Sequence, residues 1–249
     1  MSREADFLGA FEEHSPDGIR ALLGAGVSPT EPIGGKRPVD WLIEMYLRSS
    51  RFAACLQILL DAGATLGDPL LQAILLDDDS ELRGLLASSR DIMQKKLRLL
   101  CAFTSCRGVS PLHVCAEFNS TRCARVLMEN GADVNSRADR TSDGIGGHTP
   151  VFHAVNGIFN YSRPVMEMLV EAGADLDIRV NSLLWGESMN WETIIFDVTP
   201  LSFAQCGLYR QFHRREEDVY SNIEYLYFKR YNTAPAIRNV PNNYLVVGH

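Results

Sequence analysis

The sequence lacks the features that mark membrane, secreted and nucleic-acid-binding proteins. No run approaches the ~18 apolar residues that a membrane-spanning helix requires, and the best stretch, ACLQILLDAGA, is interrupted by polar residues. The opening residues MSREADFLGAFEEH carry acidic side chains and no apolar core of signal-peptide length. Lysine and arginine are outnumbered by aspartate and glutamate, 24 to 31, which disfavours binding to phosphate backbones. We therefore expect a cytoplasmic protein that binds neither nucleic acid nor membranes.

Metal-binding and catalytic patterns are also missing. The six cysteines include no CxxC pair, and most lie in apolar helical patterns, which predicts reduced, buried thiols. Cys101, Cys106, His113 and Cys115 form a cluster in the sequence, but their spacing matches no common zinc module. GxSxG, Walker, HExxH and dinucleotide-binding motifs are absent as well. These observations predict no metal, no cofactor and no catalytic residues.

What the sequence does contain is an internal repeat. SPLHVCAEFNSTRCARVLMENGADVN, residues 110–135, aligns with TPVFHAVNGIFNYSRPVMEMLVEAGADLD, residues 149–177, and TPLSFAQCGLYRQF opens a third copy. Each copy starts with a residue that can cap a helix, followed by a proline at the first helical position: Ser110 and Pro111, Thr149 and Pro150, and Thr199 and Pro200. Gly131 and Gly173 then supply left-handed caps after second helices. The repeat is therefore a helix–turn–helix unit with an extended connector.

The TPLHxA and L-x-x-x-GAD-x-N patterns resemble the ankyrin repeat. The same pattern is weaker in LLGAGVSP, residues 22–29, and LLDAGATL, residues 59–66. The resemblance implies an all-α ankyrin-repeat solenoid of about six helix–turn–helix units, with a β-hairpin-like insertion between the last two. The domain, 1–231, divides into units at about 3–35, 36–67, 68–107, 108–147, 148–198 and 199–231, and a C-terminal tail covers 232–249. In this family's motif, the histidine that corresponds to His113 bonds to the backbone of the connector.

Three insertions lengthen the period before units four, five and six. Residues 88–108 predict an extra or lengthened helix plus a loop, and residues 136–147 are polar and glycine-rich, which predicts a flexible loop. The third insertion, NSLLWGESMNWETIIFDV, occupies residues 181–198. Two apolar strands flanking GESMN predict a hairpin with Trp185 opposite Trp191. This pairing places Leu183 and Thr193 on the face of the tryptophans, and Leu184, Ile194 and Phe196 on the other face. The hairpin either binds a partner or covers a gap between units, and both roles are compatible because a hairpin has two faces.

We expect a monomer that binds a protein partner through the concave face of the solenoid and its projecting connectors. The residues expected to bind the partner are Glu117, Phe118, His153, Asn156, Phe159, Trp185, Glu187, Met189, Trp191 and Tyr209. One alternative is an inhibitor or immunity-type protein whose acidic face neutralises a basic protein. Two others are an enzyme with a site near Glu192 and His213, and a self-associating structural solenoid.

Overall fold

Six successive pairs of α-helices form the body of the protein. The computed structural model describes residues 3–235, so the predicted tail lies outside the described residues from position 236 onward. The pairs are α1 (Arg3–Glu12) with α2 (Pro16–Gly24), α3 (Pro38–Glu44) with α4 (Phe52–Asp61), α5 (Pro69–Leu75) with α6 (Asp79–Ser88), α7 (Pro111–Phe118) with α8 (Thr121–Glu129), α9 (Val151–Ala154) with α10 (Arg163–Glu171), and α11 (Pro200–Cys206) with α12 (Glu216–Tyr231). Short 3-10 helices cover Arg90–Gln94, Ile158–Asn160 and Arg210–Phe212.

Local sequence signals explain most of the helix ends. Thr199 caps α11, since its hydroxyl accepts a hydrogen bond from the backbone N–H of Ser202 at 3.2 Å. Gly131 and Gly173 follow α8 and α10 with φ of 88° and 92°, the left-handed conformation that glycine adopts without a steric penalty. Thr149 does not act as the predicted cap. Helix α9 begins two residues later, and the buried hydroxyl of Thr149 has no hydrogen-bond partner among the described residues.

Two antiparallel hairpins make the fold a helical repeat with added strands, rather than the all-α structure expected. The first pairs β1 (Leu97–Leu99) with β2 (Cys106–Val109), and the second pairs β3 (Val180–Trp185) with β4 (Thr193–Val198). An extra or lengthened helix plus a loop was expected over residues 88–108. The segment has a short 3-10 helix at Arg90–Gln94, and strands occupy the part that follows. Its strand character follows from alternation, because Leu97 and Leu99 are buried while Arg98 between them is exposed.

The β3–β4 hairpin has the predicted faces but not the predicted register. Trp185 lies opposite Thr193, which is two positions beyond the expected partner Trp191. The reason is that residues 186–192 form the turn. A two-residue shift keeps every side chain on the same face. Trp185 is therefore still on the inner face, where its ring stacks on that of Phe212 with centroids 4.3 Å apart, and Phe196 is still on the outer face.

The stack of helix pairs is curved, so that residues of the second pair contact residues of the sixth. The hydroxyl of Tyr46, after α3, donates to the backbone carbonyl of Phe212 at 2.7 Å and lies 3.1 Å from Nη1 of Arg214. At the start of α4, the ring of Phe52 packs against Phe118 of α7, with centroids 4.9 Å apart. Contact between distant units departs from the usual solenoid, in which each unit touches its neighbours. The expected open surface along the first helices is therefore partly filled by the protein's own residues.

Candidate functional site

A buried polar network lies where the second helix pair meets the fourth and fifth. The guanidinium of Arg48 pairs with Glu117 (Nε to Oε1, 3.1 Å), and both side chains are almost fully buried. Cys101 lies between them, with its Sγ 3.2 Å from Nη2 of Arg48 and 3.1 Å from Oε1 of Glu117. The rings of Phe103 and Phe118 also pack against the guanidinium of Arg48. The network therefore joins parts of the chain that are far apart in sequence.

Three histidines extend this network. Nδ1 of His153 lies 3.0 Å from Oε2 of Glu117, and its Nε2 lies 3.1 Å from Nε2 of His148. Nε2 of His113 lies 3.1 Å from the backbone carbonyl of His148, while Nδ1 of His113 accepts from the backbone N–H of Ser110 at 3.1 Å. A carboxylate accepts hydrogen bonds, so His153 donates from Nδ1 to Glu117.

Burial and neighbouring charges set the ionisation of these groups. Burial acts to raise the pKa of Glu117, but Arg48 and His153 outweigh it, so the pKa lies below its ordinary value. Burial, reinforced by the charge of His153, holds the pKa values of His113 and His148 well below the ordinary range. Glu117 is therefore ionised near neutral pH, whereas His113 and His148 are neutral.

This network does not have the chemistry of a cysteine nucleophile. Sγ of Cys106 lies 3.9 Å from Nδ1 of His153, an arrangement that superficially pairs a thiol with a base. The thiol is fully buried, and a hydrogen bond with Cys101 together with burial raises its pKa well above the ordinary value. A reactive cysteine needs an accessible thiolate. The arrangement instead ties helices together.

The structure divides the residues expected to bind a partner into two groups. Six are buried, so their side chains are not available at the surface: Glu117, Phe118, His153, Asn156, Trp185 and Glu187. Three are exposed, namely Phe159, Trp191 and Tyr209, and Met189 is half-buried. The expectation that first-helix side chains would be exposed is corrected by the packing described above. Arg48 was missed because nothing in its local sequence shows that its partner lies 69 positions away.

The outer face of the β3–β4 hairpin is an apolar surface that this packing leaves open. We define this outer face by Leu184, Ile194 and Phe196, of which Phe196 is 71% and Ile194 39% exposed. Along the edge of β3 that does not pair with β4, the backbone N–H of Ser105 donates to the backbone carbonyl of Leu184 at 3.0 Å. No further strand pairs with β4 among the described residues, so β4 is an edge strand.

Beside the outer face lies a cavity of about 260 Å³, which we call the hairpin cavity. The hairpin contributes Leu184, Glu187, Glu192 and Ile194 to its lining, and the 139–148 segment faces them across the cavity. Glu187 holds the hairpin turn to β2, because its carboxylate accepts from the Ser105 hydroxyl at 2.7 Å and pairs with Arg107. Burial acts to raise the pKa of Glu187, but the bonds from Arg107 and Ser105 outweigh it and keep the carboxylate ionised.

The hairpin cavity has more negative than positive charge. Asp139, Asp143, Glu187 and Glu192 line it, with Arg107 as the lining cation. Arg107 is paired with Glu187, and Lys96 pairs with Asp139 at 3.1 Å. Asp143 and Glu192 make no ion pair in the part of the chain that the structure describes. Two carboxylates are therefore left without a cationic partner.

No metal site or membrane segment stands out in the described part of the chain. Among residues 3–235, no three histidine, cysteine, aspartate or glutamate side chains are grouped so that they could hold a metal ion. None of the helices in that range has the length and apolar character needed to cross a bilayer. Cys101, Cys106, His113 and Cys115, which lie close together in the sequence, form no such group there.

Successive pairs of helices define a helical repeat protein, and in four of the six described pairs the first helix begins at a proline. Left-handed glycines follow the second helix of four pairs, at Gly26, Gly63, Gly131 and Gly173. A family model described as "Ankyrin repeats (3 copies)" matches residues 10–180. The chain therefore belongs to the ankyrin-repeat family, as its sequence motifs predicted. A comparison with curated proteins finds no match.

Proposed function

We propose that this protein binds a protein partner through the outer face of the β3–β4 hairpin. Ankyrin repeats are generally protein–protein interaction modules, and this chain is a member of the family. The observation that carries the proposal is the exposure of Phe196 and Ile194 on a strand whose opposite face is anchored in the core by Trp185. Large apolar side chains exposed together mark interaction surfaces.

The edge position of β4 supports the same surface. An unpaired strand edge offers backbone N–H and C=O groups to an incoming extended segment, and neighbouring side-chain pockets then give specificity. The unpaired edge of β4 runs alongside Ile194 and Phe196, the β4 residues of the outer face. Of the residues predicted to bind the partner, we keep Trp191 and Met189 in this role because both belong to the hairpin and are at least partly exposed.

Affinity capture from native lysate with mass spectrometry tests this proposal. The wild-type chain is compared with Phe196→Asp and Ile194→Asp, which place a charge on the outer face. Phe228→Asp is the matched control, since Phe228 is an exposed aromatic residue on α12, outside the hairpin. Circular dichroism establishes that all four chains are folded. We expect a partner that the wild type and Phe228→Asp retain and the two hairpin variants lose. Equal retention by all four chains would reject the outer face as the binding surface.

A further inference from the structure

The two edges of the β3–β4 hairpin differ in how their backbone groups are used. Along β3, the carbonyl of Ser182 accepts from the backbone N–H of Gly146 at 2.9 Å, and the carbonyl of Leu184 accepts from the backbone N–H of Ser105 at 3.0 Å. The backbone groups of these two β3 residues therefore point away from β4. Other segments of the chain already bond to this edge of the sheet.

The opposite edge belongs to β4, and the register shows which of its backbone groups are free. Ser182 lies opposite Phe196, and Leu184 lies opposite Ile194. In an antiparallel pair, two opposite residues either exchange both backbone hydrogen bonds or exchange neither, so Phe196 and Ile194 also point their N–H and C=O groups outward. Within residues 3–235, no other backbone group bonds to them. The β4 edge therefore offers donors and acceptors beside two exposed apolar side chains.

The last described helix ends close to this edge. Arg230, in the last turn of α12, pairs with Asp177, which lies just before β3 begins. On the same side of the connector, Arg179 pairs with Asp197 of β4 at 2.7 Å. These two ion pairs place the end of α12 near the base of the hairpin, where β4 also ends.

The sequence beyond the described residues contains one run of strand-forming side chains. The run is YLVV, residues 244–247, which follows a proline and two asparagines. An extended chain spans up to about 30 Å between residues 235 and 244. Strand β4, with six residues, is about 20 Å long. The run can therefore reach the β4 edge from the base of the hairpin.

We propose that residues 244–247 of this chain pair with the free edge of β4 as a third strand of the sheet. A chain that starts at the base of the hairpin and follows β4 toward the turn runs antiparallel to β4. The pairing gives hydrogen-bond partners to Ile194 and Phe196 and protects an edge that would otherwise invite pairing with other chains. The side chains of Ile194 and Phe196 stay on the outer face. The inference goes beyond the proposed function, because it concerns the protein without a partner.

Amide exchange of the 249-residue chain, followed residue by residue by nuclear magnetic resonance without a partner, tests the inference. Proline has no N–H and cannot donate to a strand pair, and the N–H groups of neighbouring residues in a strand point to opposite edges. One of the variants Leu245→Pro and Val246→Pro therefore removes a donor to β4 whatever the register. Ala236→Pro is the matched control, because it makes the same change outside the run. Circular dichroism establishes that all chains are folded.

The amides of Ile194 and Phe196 are the signals that decide the outcome. We expect them to exchange slowly in the wild type and in Ala236→Pro, and on the order of tenfold faster in one or both of the other variants. The amide of Ile195, which points to Leu183 of β3, should change little and serves as the internal reference. Fast exchange of Ile194 and Phe196 in the wild type, or the same rate in all four chains, would overturn the inference.

Dilution decides whether the added strand comes from the same chain. Pairing within one chain does not depend on protein concentration, so the exchange of Ile194 and Phe196 should stay the same on dilution. Exchange that becomes faster on dilution would assign the strand to a second copy and overturn the inference. The two proposals fail separately. Fast exchange in the wild type leaves the capture experiment unaffected, whereas equal capture by all hairpin variants rejects the proposed function without bearing on this pairing.

Discussion

The hydroxyl of Tyr46 donates to the backbone carbonyl of Phe212, and this one hydrogen bond joins residues 166 positions apart. Phe212 in turn stacks on Trp185, the inner anchor of the β3–β4 hairpin. Through these contacts, the connector after α3 supports the hairpin whose outer face we propose as the binding surface. The contact between the second and the sixth helix pair therefore holds the hairpin in the position that exposes its outer face.

The first prediction concerns the contact between the second and the sixth helix pair. Tyr46→Phe removes the donor to Phe212 and the hydroxyl that contacts Arg214, while keeping the ring. Because the carbonyl of Phe212 retains Arg214 as a donor, we expect the free energy of unfolding to fall by about 1 kcal/mol. Urea titration measures the change. Tyr231→Phe, at an exposed position on α12, is the control, and a Tyr46→Phe value equal to that of the control would show that the bond does not stabilise the fold.

The buried ion pair of Arg48 and Glu117 gives the second prediction. Arg48→Met leaves a buried carboxylate without its guanidinium, so we expect a loss of about 3–5 kcal/mol in the free energy of unfolding. Adding Glu117→Gln removes that uncompensated charge, and the double variant should lose less than the sum of the two single losses. A double-mutant cycle from denaturant titrations measures the coupling. Strict additivity would contradict the pairing.

The two hairpin tryptophans should behave differently, although both were expected to bind the partner. Trp185 is 1% exposed and stacked on Phe212, so Trp185→Ala should cost about 3–5 kcal/mol of stability. Trp191 is 41% exposed, with an edge contact to Tyr46, so Trp191→Ala should cost less than about 1 kcal/mol. Thermal and urea unfolding of both variants check the contrast. Comparable losses would mean that Trp191 is also part of the core.

Stability should decrease in mild acid. Burial, together with the charges of Arg48 and Arg51, lowers the pKa of His14 from 6.5 to about 4. The unfolded chain therefore takes up a proton first as the pH falls, and the free energy of unfolding decreases between about pH 6.5 and pH 4. The contribution of His14 is up to about 3 kcal/mol over that interval. His113 and His148 act in the same direction, since their pKa values are also lowered.

The variant His14→Asn isolates this contribution. His14 has φ of 46°, which asparagine tolerates, and an amide can still bond to Ser49. Urea titrations at several pH values should give a shallower dependence of the free energy of unfolding on pH in the variant than in the wild type. An unchanged slope would show that His14 is not the titrating group.

The parts of this fold that could be predicted from sequence are those set by neighbouring residues. Caps, prolines and glycines mark α2, α8, α10 and α11, and alternation of apolar side chains assigns the faces of the β3–β4 hairpin. A helix was predicted in the segment before β2 because its leucines and lysines are also common in helices. The segment instead contains β1, whose antiparallel pairing with β2 decides its structure.

The candidate site was less predictable because it depends on contacts between distant residues. Glu117 and His153 were expected at an open surface, as in a regular stack. They are covered because Arg48 comes from a connector 69 positions before Glu117, and no local pattern encodes that approach. The acidic hairpin cavity likewise needs the 139–148 segment and the hairpin to meet, which neither segment shows alone.

Hydrogen–deuterium exchange of the 249-residue chain, read by mass spectrometry with and without the captured partner, would locate the binding surface directly. We expect slower amide exchange in β3 and β4 and in residues 139–148 when the partner is bound, with little change in α12. Protection confined to the helices, with exchange in the hairpin unchanged, would contradict the claim that the outer face of the β3–β4 hairpin is where this ankyrin-repeat protein binds its partner.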